Sequence, residues 1–122
     1  MYCLSLDYKT ADSNVRSKFS LTKREIIELS NKVGSLVALF TCNRSEIYFL
    51  CEPSLMLNAL DIPCDIKNLL SFYENDEAVK HLFSVTCGLE SMLKGEDDIV
   101  RQIKKAYYFS LENKISNKEL NI

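Results

Sequence analysis

Cys42 stands in Phe40-Thr41-Cys42-Asn43-Arg44-Ser45-Glu46-Ile47-Tyr48, a short polar stretch between two apolar runs, with a guanidinium two residues on. A thiolate is a strong nucleophile near neutral pH, and a neighbouring cation favours it over the thiol. These residue types in this order suit covalent acyl transfer, in which a thiol attacks an ester carbonyl and carries the acyl group. Arg44 offers a second capability, because its planar fork matches a carboxylate in two hydrogen bonds. Thr41 and Asn43 flank the thiol and can orient a bound group or hold the loop. Asn43 also tolerates a left-handed turn conformation, and both roles stand. The competing account of Cys42 is a buried core thiol, the usual state of a free cysteine.

Positioning such a thiol requires rigid elements on either side. Leu36 to Phe40 reads as a buried strand and Ile47 to Leu50 as the returning one. Upstream, residues 2–8 alternate weakly as a first strand, and residues 13–19 suit a short helix. Thr22 and Glu25 form a capping box, so a helix starts there, runs to about Lys32 and stops before Gly34. Pro53 and Pro63 bracket a helical piece over 54–60, and residues 65–73 read as helical. A stronger helix from Glu77 to Thr86 places Val79, Leu82, Phe83 and Thr86 on one stripe. Another from Ile99 to Leu111 aligns Ile99, Ile103, Ala106 and Tyr107. Leu89 to Gly95 has room for a strand between them. The order predicts an α+β domain, a ferredoxin-like βαββαβ sandwich with additional helices. One antiparallel sheet would carry helices on one face, with Cys42 in the β2–β3 connection.

Composition narrows the field. The chain has 122 residues, 47% of them hydrophobic and 26% charged, which suits one globular domain with a real core. A net charge of −2 argues against a dedicated nucleic-acid binder, though not against a local basic patch. Arg101, Lys104 and Lys105 form such a cluster, suited to phosphates or simply to a solvated helix face. Five cysteines at 3, 42, 51, 64 and 87, with a single histidine, match neither a disulfide framework nor a zinc motif. No metal is expected, and reduced thiols in a cytoplasm are the simplest reading. Neither a membrane span nor a signal peptide is expected.

Three blocks then carry a family resemblance. They are Leu6-Asp7-Tyr8-Lys9-Thr10-Ala11, then Thr41-Cys42-Asn43-Arg44-Ser45-Glu46-Ile47-Tyr48, then His81-Leu82-Phe83-Ser84-Val85 through Gly88-Leu89-Glu90-Ser91-Met92 to Gly95-Glu96 and Gln102. In order and content they resemble the N-terminal catalytic domain of the glutamyl-tRNA reductases. The resemblance implies residues 1–112 as that domain and 113–122 as a polar tail opening a linker to a missing NADPH-binding domain. It implies a thioester between glutamate and Cys42, then reduction by NADPH to glutamate-1-semialdehyde, a tetrapyrrole precursor. The cofactor would serve the full-length enzyme, with none bound by this piece, and a further missing domain would make a homodimer. Glutamyl-tRNA would be the substrate.

By the same resemblance, His81 lies near the thiol and assists proton transfer or orients the ester; the plain alternative is a helix-surface histidine. Arg44 anchors the glutamate side chain. Thr41, Asn43, Ser91, Glu96, Asp97, Asp98 and Gln102 shape the substrate pocket. Asp98 stands where the family commonly has glutamine, and Tyr8 where it has histidine, so the binding role of Asp97 and Asp98 is the weakest part of the carry-over. The acids also suit a helix's first turn whatever else they do. The remaining cysteines read as structural. Two other functions compete: a non-catalytic α+β ligand-binding or regulatory module, and a thiol redox sensor, for which Cys51 lies far from Cys42.

Overall fold

The structure, a computed structural model, describes residues 1–41, 43–86 and 98–113, with only the helical backbone at Thr86 and at 98–100. In order it contains β1 (Tyr2–Asp7), α1 (Ser13–Ser17), α2 (Lys23–Val33), β2 (Leu36–Phe40) and β3 (Arg44–Phe49). There follow α3 (Pro53–Leu60), α4 (Cys64–Lys67), β4 (Ser71–Glu74), α5 (Asp76–Thr86) and α6 (Asp98–Glu112). The four strands form one antiparallel sheet in the order β2-β3-β1-β4.

Alternation along the strands decides how that sheet is covered, because successive side chains point to opposite faces. Leu4 and Leu6 of β1, Leu36 of β2, and Ile47 and Phe49 of β3 enter one core. Ile26, Leu29 and Val33 of α2, Met56 of α3 and Ile66 of α4 close it. Cys3 and Tyr48 point the other way and meet Ala78 of α5. Leu39 joins Val85 of α5, with Ile103 and Ala106 of α6 packed against them. Helices therefore cover both faces, which corrects the expectation of a single helical layer. The reason is legible in burial: all six residues of β3 are buried, so neither face of that strand can meet water.

Two further expectations change. Residues 65–73 are not one helix. The α4 turn ends at Lys67, and Ser71-Phe72-Tyr73-Glu74 pairs with β1 as an edge strand. Its half-buried and exposed positions alternate strictly, the period of a strand rather than a helix. The strand expected over 89–95 lies outside the described residues. On α5 the inward face is Ala78, His81, Leu82 and Val85, whereas Phe83 is 63% exposed and Val79 38%. The helix is turned by one position from the expected stripe, which brings a histidine rather than a phenylalanine inside.

The α2 boundaries follow their local chemistry. Thr22 Oγ1 accepts from the Glu25 amide at 3.2 Å, and Glu25 Oε1 accepts from the Thr22 amide at 2.9 Å. Gly34 ends the helix at φ +90°, a region that disfavours side chains. Leu6 has no exposed surface and lies on β1 opposite Ser45 of β3. We expect Leu6→Ala to lose about 2–5 kcal/mol in urea unfolding, and Phe83→Ala to change stability by less than about 0.5 kcal/mol.

Candidate active site

Period-two alternation in β3 puts Arg44, Glu46 and Tyr48 on the face that α5 covers, while Ser45, Ile47 and Phe49 face the main core. Register adds the neighbours. Asp7 lies opposite Arg44, Ser5 opposite Glu46 and Cys3 opposite Tyr48, with Tyr73 of β4 on the far side of Cys3. The result is a polar island inside an otherwise apolar layer. Arg44 and Glu46 have no exposed surface, and His81 is 6% exposed.

Glu46 is the hub. Its Oε2 accepts from Ser5 Oγ at 2.7 Å and Arg44 Nη1 at 3.4 Å, and meets His81 Nε2; its Oε1 accepts from Tyr48 OH at 3.1 Å. A buried charge is tolerated only with such partners. Burial pushes the Glu46 carboxyl up. The hydrogen bond and charge of His81, the Ser5 hydroxyl and the Arg44 cation together outweigh it and hold the group below its ordinary range. Burial raises the Cys3 thiol well above its usual range, and the Glu46 charge adds to that. Burial, then the Glu46 charge, likewise keeps the Tyr48 hydroxyl protonated.

These charges fix the imidazole. An ionised carboxylate only accepts, so His81 Nε2 donates to it, and Nδ1 is left as the nitrogen that can take a proton. The Tyr73 ring stacks on the imidazole with centroids 4.1 Å apart and planes at 14°. A carboxylate on one nitrogen and an aromatic plane against the ring restrict its orientation, the arrangement that positions a general base.

The β2–β3 turn beside this island is built by Thr41. Its amide donates to the Arg44 carbonyl at 2.8 Å, and its Oγ1 accepts from the Asn43 and Arg44 amides at 3.1 and 3.2 Å. The Asn43 carbonyl accepts from the Tyr8 amide at 2.9 Å, tying the turn to the end of β1. Arg44 belongs to β3 rather than to the loop, because its side chain has a buried anion to meet.

Of the residues singled out from sequence, Thr41, Asn43, Arg44 and His81 gather at this end of the sheet. His81 is not a surface residue. Cys42, Ser91, Glu96 and Asp97 lie outside the described residues, as do Cys87 and residues 114–122; Asp98 is placed only as the first residue of α6. Gln102 lines a separate depression of about 250 Å³ between α2, β2 and α6, with Phe40 and Phe109. Arg101, Lys104 and Lys105 join Lys23 and Tyr108 around a neighbouring hollow of about 470 Å³. Sequence reasoning passed over Glu46 as a partner for His81, together with Ser5, Tyr48 and Tyr73. The available signal was a charged Arg-Ser-Glu run leading directly into an apolar strand.

Comparison with known proteins agrees with the blocks. The family model for the N-terminal domain of glutamyl-tRNAGlu reductase matches residues 4–122. The glutamyl-tRNA reductase of Alkaliphilus oremlandii is 31% identical over 96% of this chain and 39% of its own length. That of Clostridium acetobutylicum is 39% identical over 87% of this chain and 29% of its own. The structure of glutamyl-tRNA reductase from Methanopyrus kandleri superposes with a TM-score of 0.80 at 30% identity, covering 98% of this chain and 30% of that one. The chain thus spans well under half the length of these relatives.

A carboxylate with a folded pKa below its ordinary value of 4.5 adds stability that is present above that value and lost as pH falls through the folded one. We expect wild-type stability, followed by urea midpoints, to fall below about pH 4.5. Glu46→Gln should remove that part of the acid dependence and, by leaving Arg44 with a neutral partner, cost about 3–5 kcal/mol at neutral pH.

Proposed function

The chain belongs to the family of glutamyl-tRNA reductase N-terminal domains, and from that premise we propose that it is the glutamyl-accepting part of such an enzyme. The observation that carries the proposal is the buried Glu46–His81 pair beside the turn that bears Cys42. In this reading the Cys42 thiolate attacks the carbonyl carbon of the ester joining glutamate to its tRNA. A carbon–sulfur bond forms, the carbon–oxygen ester bond breaks, and the tRNA hydroxyl leaves with a proton. His81 Nδ1 takes the thiol proton and returns it to the leaving oxygen, while Glu46 steadies the imidazolium. Arg44 pairs with the glutamate side chain, and Thr41 and Asn43 hold the turn. Ser91, Glu96, Asp97, Asp98 and Gln102 remain the proposed surroundings of the substrate.

The strand order β2-β3-β1-β4, antiparallel throughout, supports a ferredoxin-like reading of the sheet. It gives no support to a dinucleotide site in this chain. Such sites use a parallel sheet and a glycine-rich strand-to-helix turn, and the three glycines here, 34, 88 and 95, are scattered. NADPH and the reductive step, which would release glutamate-1-semialdehyde for tetrapyrrole synthesis, are therefore assigned to the rest of a longer protein. Dimerisation is assigned there too. The cations at Arg101, Lys104, Lys105 and Lys23 are proposed to meet tRNA phosphates. Among the described residues no helix is long and apolar enough to cross a membrane, which is compatible with the proposed cytoplasmic setting.

Intact-mass analysis after mixing with glutamyl-tRNA and rapid acid quench tests the proposal. The expected result is a single glutamyl adduct, cleaved by hydroxylamine, absent in Cys42→Ser and formed about 10²-fold or more slowly in His81→Asn. An adduct that persists in Cys42→Ser, or an intact tRNA ester with no adduct in the parent, would overturn it. No aldehyde is expected from this chain with NADPH.

A further inference from the structure

Cys3, Glu46 and His81 come from three elements far apart in sequence, yet a sulfur, a carboxylate oxygen and an imidazole nitrogen lie within 4.8 Å of one another, all buried. We propose that this trio is a binding site for a thiophilic divalent cation of the zinc class, and that occupancy switches the neighbouring reaction centre off. The second half rests on the function proposed above; the first does not.

The donor set matches the chemistry of such ions. Thiolate, imidazole and carboxylate are the three ligand types zinc takes from proteins, and three protein donors with solvent in the fourth position are a common arrangement. Bonds of about 2.0–2.3 Å place tetrahedral ligands about 3.3–3.8 Å apart, so the widest separation needs to close by about 1 Å while the hydrogen-bonded His81–Glu46 pair opens to admit the ion. The elements that carry them are rigid: Cys3 and Glu46 lie on adjacent paired strands, and Tyr73 backs the imidazole.

Charge is nearly balanced as well. The ion takes the place of the Cys3 thiol proton, while the proton between His81 and Glu46 passes to Nδ1. A divalent cation in exchange for one proton raises the charge of the island by one unit, and the two anionic ligands, the Cys3 thiolate and the Glu46 carboxylate, neutralise the ion itself. Tyr48 and Ser5, which already donate to Glu46, can continue to do so. The consequence for the reaction is direct. A metal on Nε2 moves the imidazole proton to Nδ1, and the nitrogen proposed as the base is then occupied.

Cobalt titration of the Cys42→Ser protein, which removes the thiol proposed as the nucleophile, tests the binding. One equivalent should bind with a thiolate-to-cobalt charge-transfer band, and zinc should displace it. Cys3→Ser, which keeps the side-chain volume, and Cys3→Ala should both lose the band and weaken binding by roughly 10–100-fold or more. Cys64→Ser, altered at an exposed thiol, should retain both. No band in the parent, or a band that survives Cys3→Ser, overturns the site. In proteins that retain Cys42, zinc should slow glutamyl transfer about 10²-fold in the parent and far less in Cys3→Ser. Equal slowing in both overturns the switch. Because the titration uses no tRNA, a chain that binds cobalt through Cys3 yet never accepts glutamate would overturn the proposed function and leave the site standing.

Discussion

A carboxylate with no exposed surface must be compensated, and in this protein that requirement organises one whole face of the sheet. Glu46 draws a hydroxyl from β1, a guanidinium and a phenol from its own strand, and an imidazole from α5. Removing an ion from water without partners costs several kcal/mol or more, comparable to the whole stability of a small domain. The four donors are therefore a condition for burying β3 at all. They also lock α5 in rotation: His81 must face inward, and Phe83, more apolar, is displaced to the surface.

The two faces of the sheet divide the labour. The face under α2, α3 and α4 is continuous aliphatic and aromatic packing, anchored by Leu6, Leu36 and Phe49 with no exposed surface. It supplies burial energy without directional demands. The face under α5 is poorer in apolar contact and holds directional interactions instead. A polar island of this kind specifies one arrangement, because any register slip by one residue would send Arg44, Glu46 and Tyr48 into the aliphatic core. The Thr41 turn sits at the end of the same strand, so the rigidity of β3 passes directly to the residues flanking position 42.

Much of this was legible in the sequence where local chemistry decides structure. The Thr22–Glu25 capping box, the β2–β3 hairpin and the two long helices follow from spacing alone. What escaped was set by contacts distant in sequence. The β4 strand forms because β1 has an unpaired edge, and four residues carry too short a pattern to separate from the preceding helical turn. The orientation of α5 depends on Glu46, 35 residues away. Five irregular cysteines and one histidine match no short metal motif. Cys3 and His81 nevertheless converge on Glu46, because strand pairing and helix packing, not sequence proximity, bring them together.

The same compensation bears on how Arg44 could serve a substrate. A cation that was the sole partner of a buried carboxylate could not turn to a second anion without stranding the first. Glu46 is not in that position: Ser5, Tyr48 and His81 hold it independently of the guanidinium. A glutamate carboxylate arriving beside Arg44 would thus share a cation whose original partner stays satisfied. Lysine could not replace it, since one ammonium lacks the planar fork that lets a guanidinium face two carboxylates along different edges. The redundancy around Glu46 is what would make a buried arginine compatible with the proposed binding duty as well as its structural one.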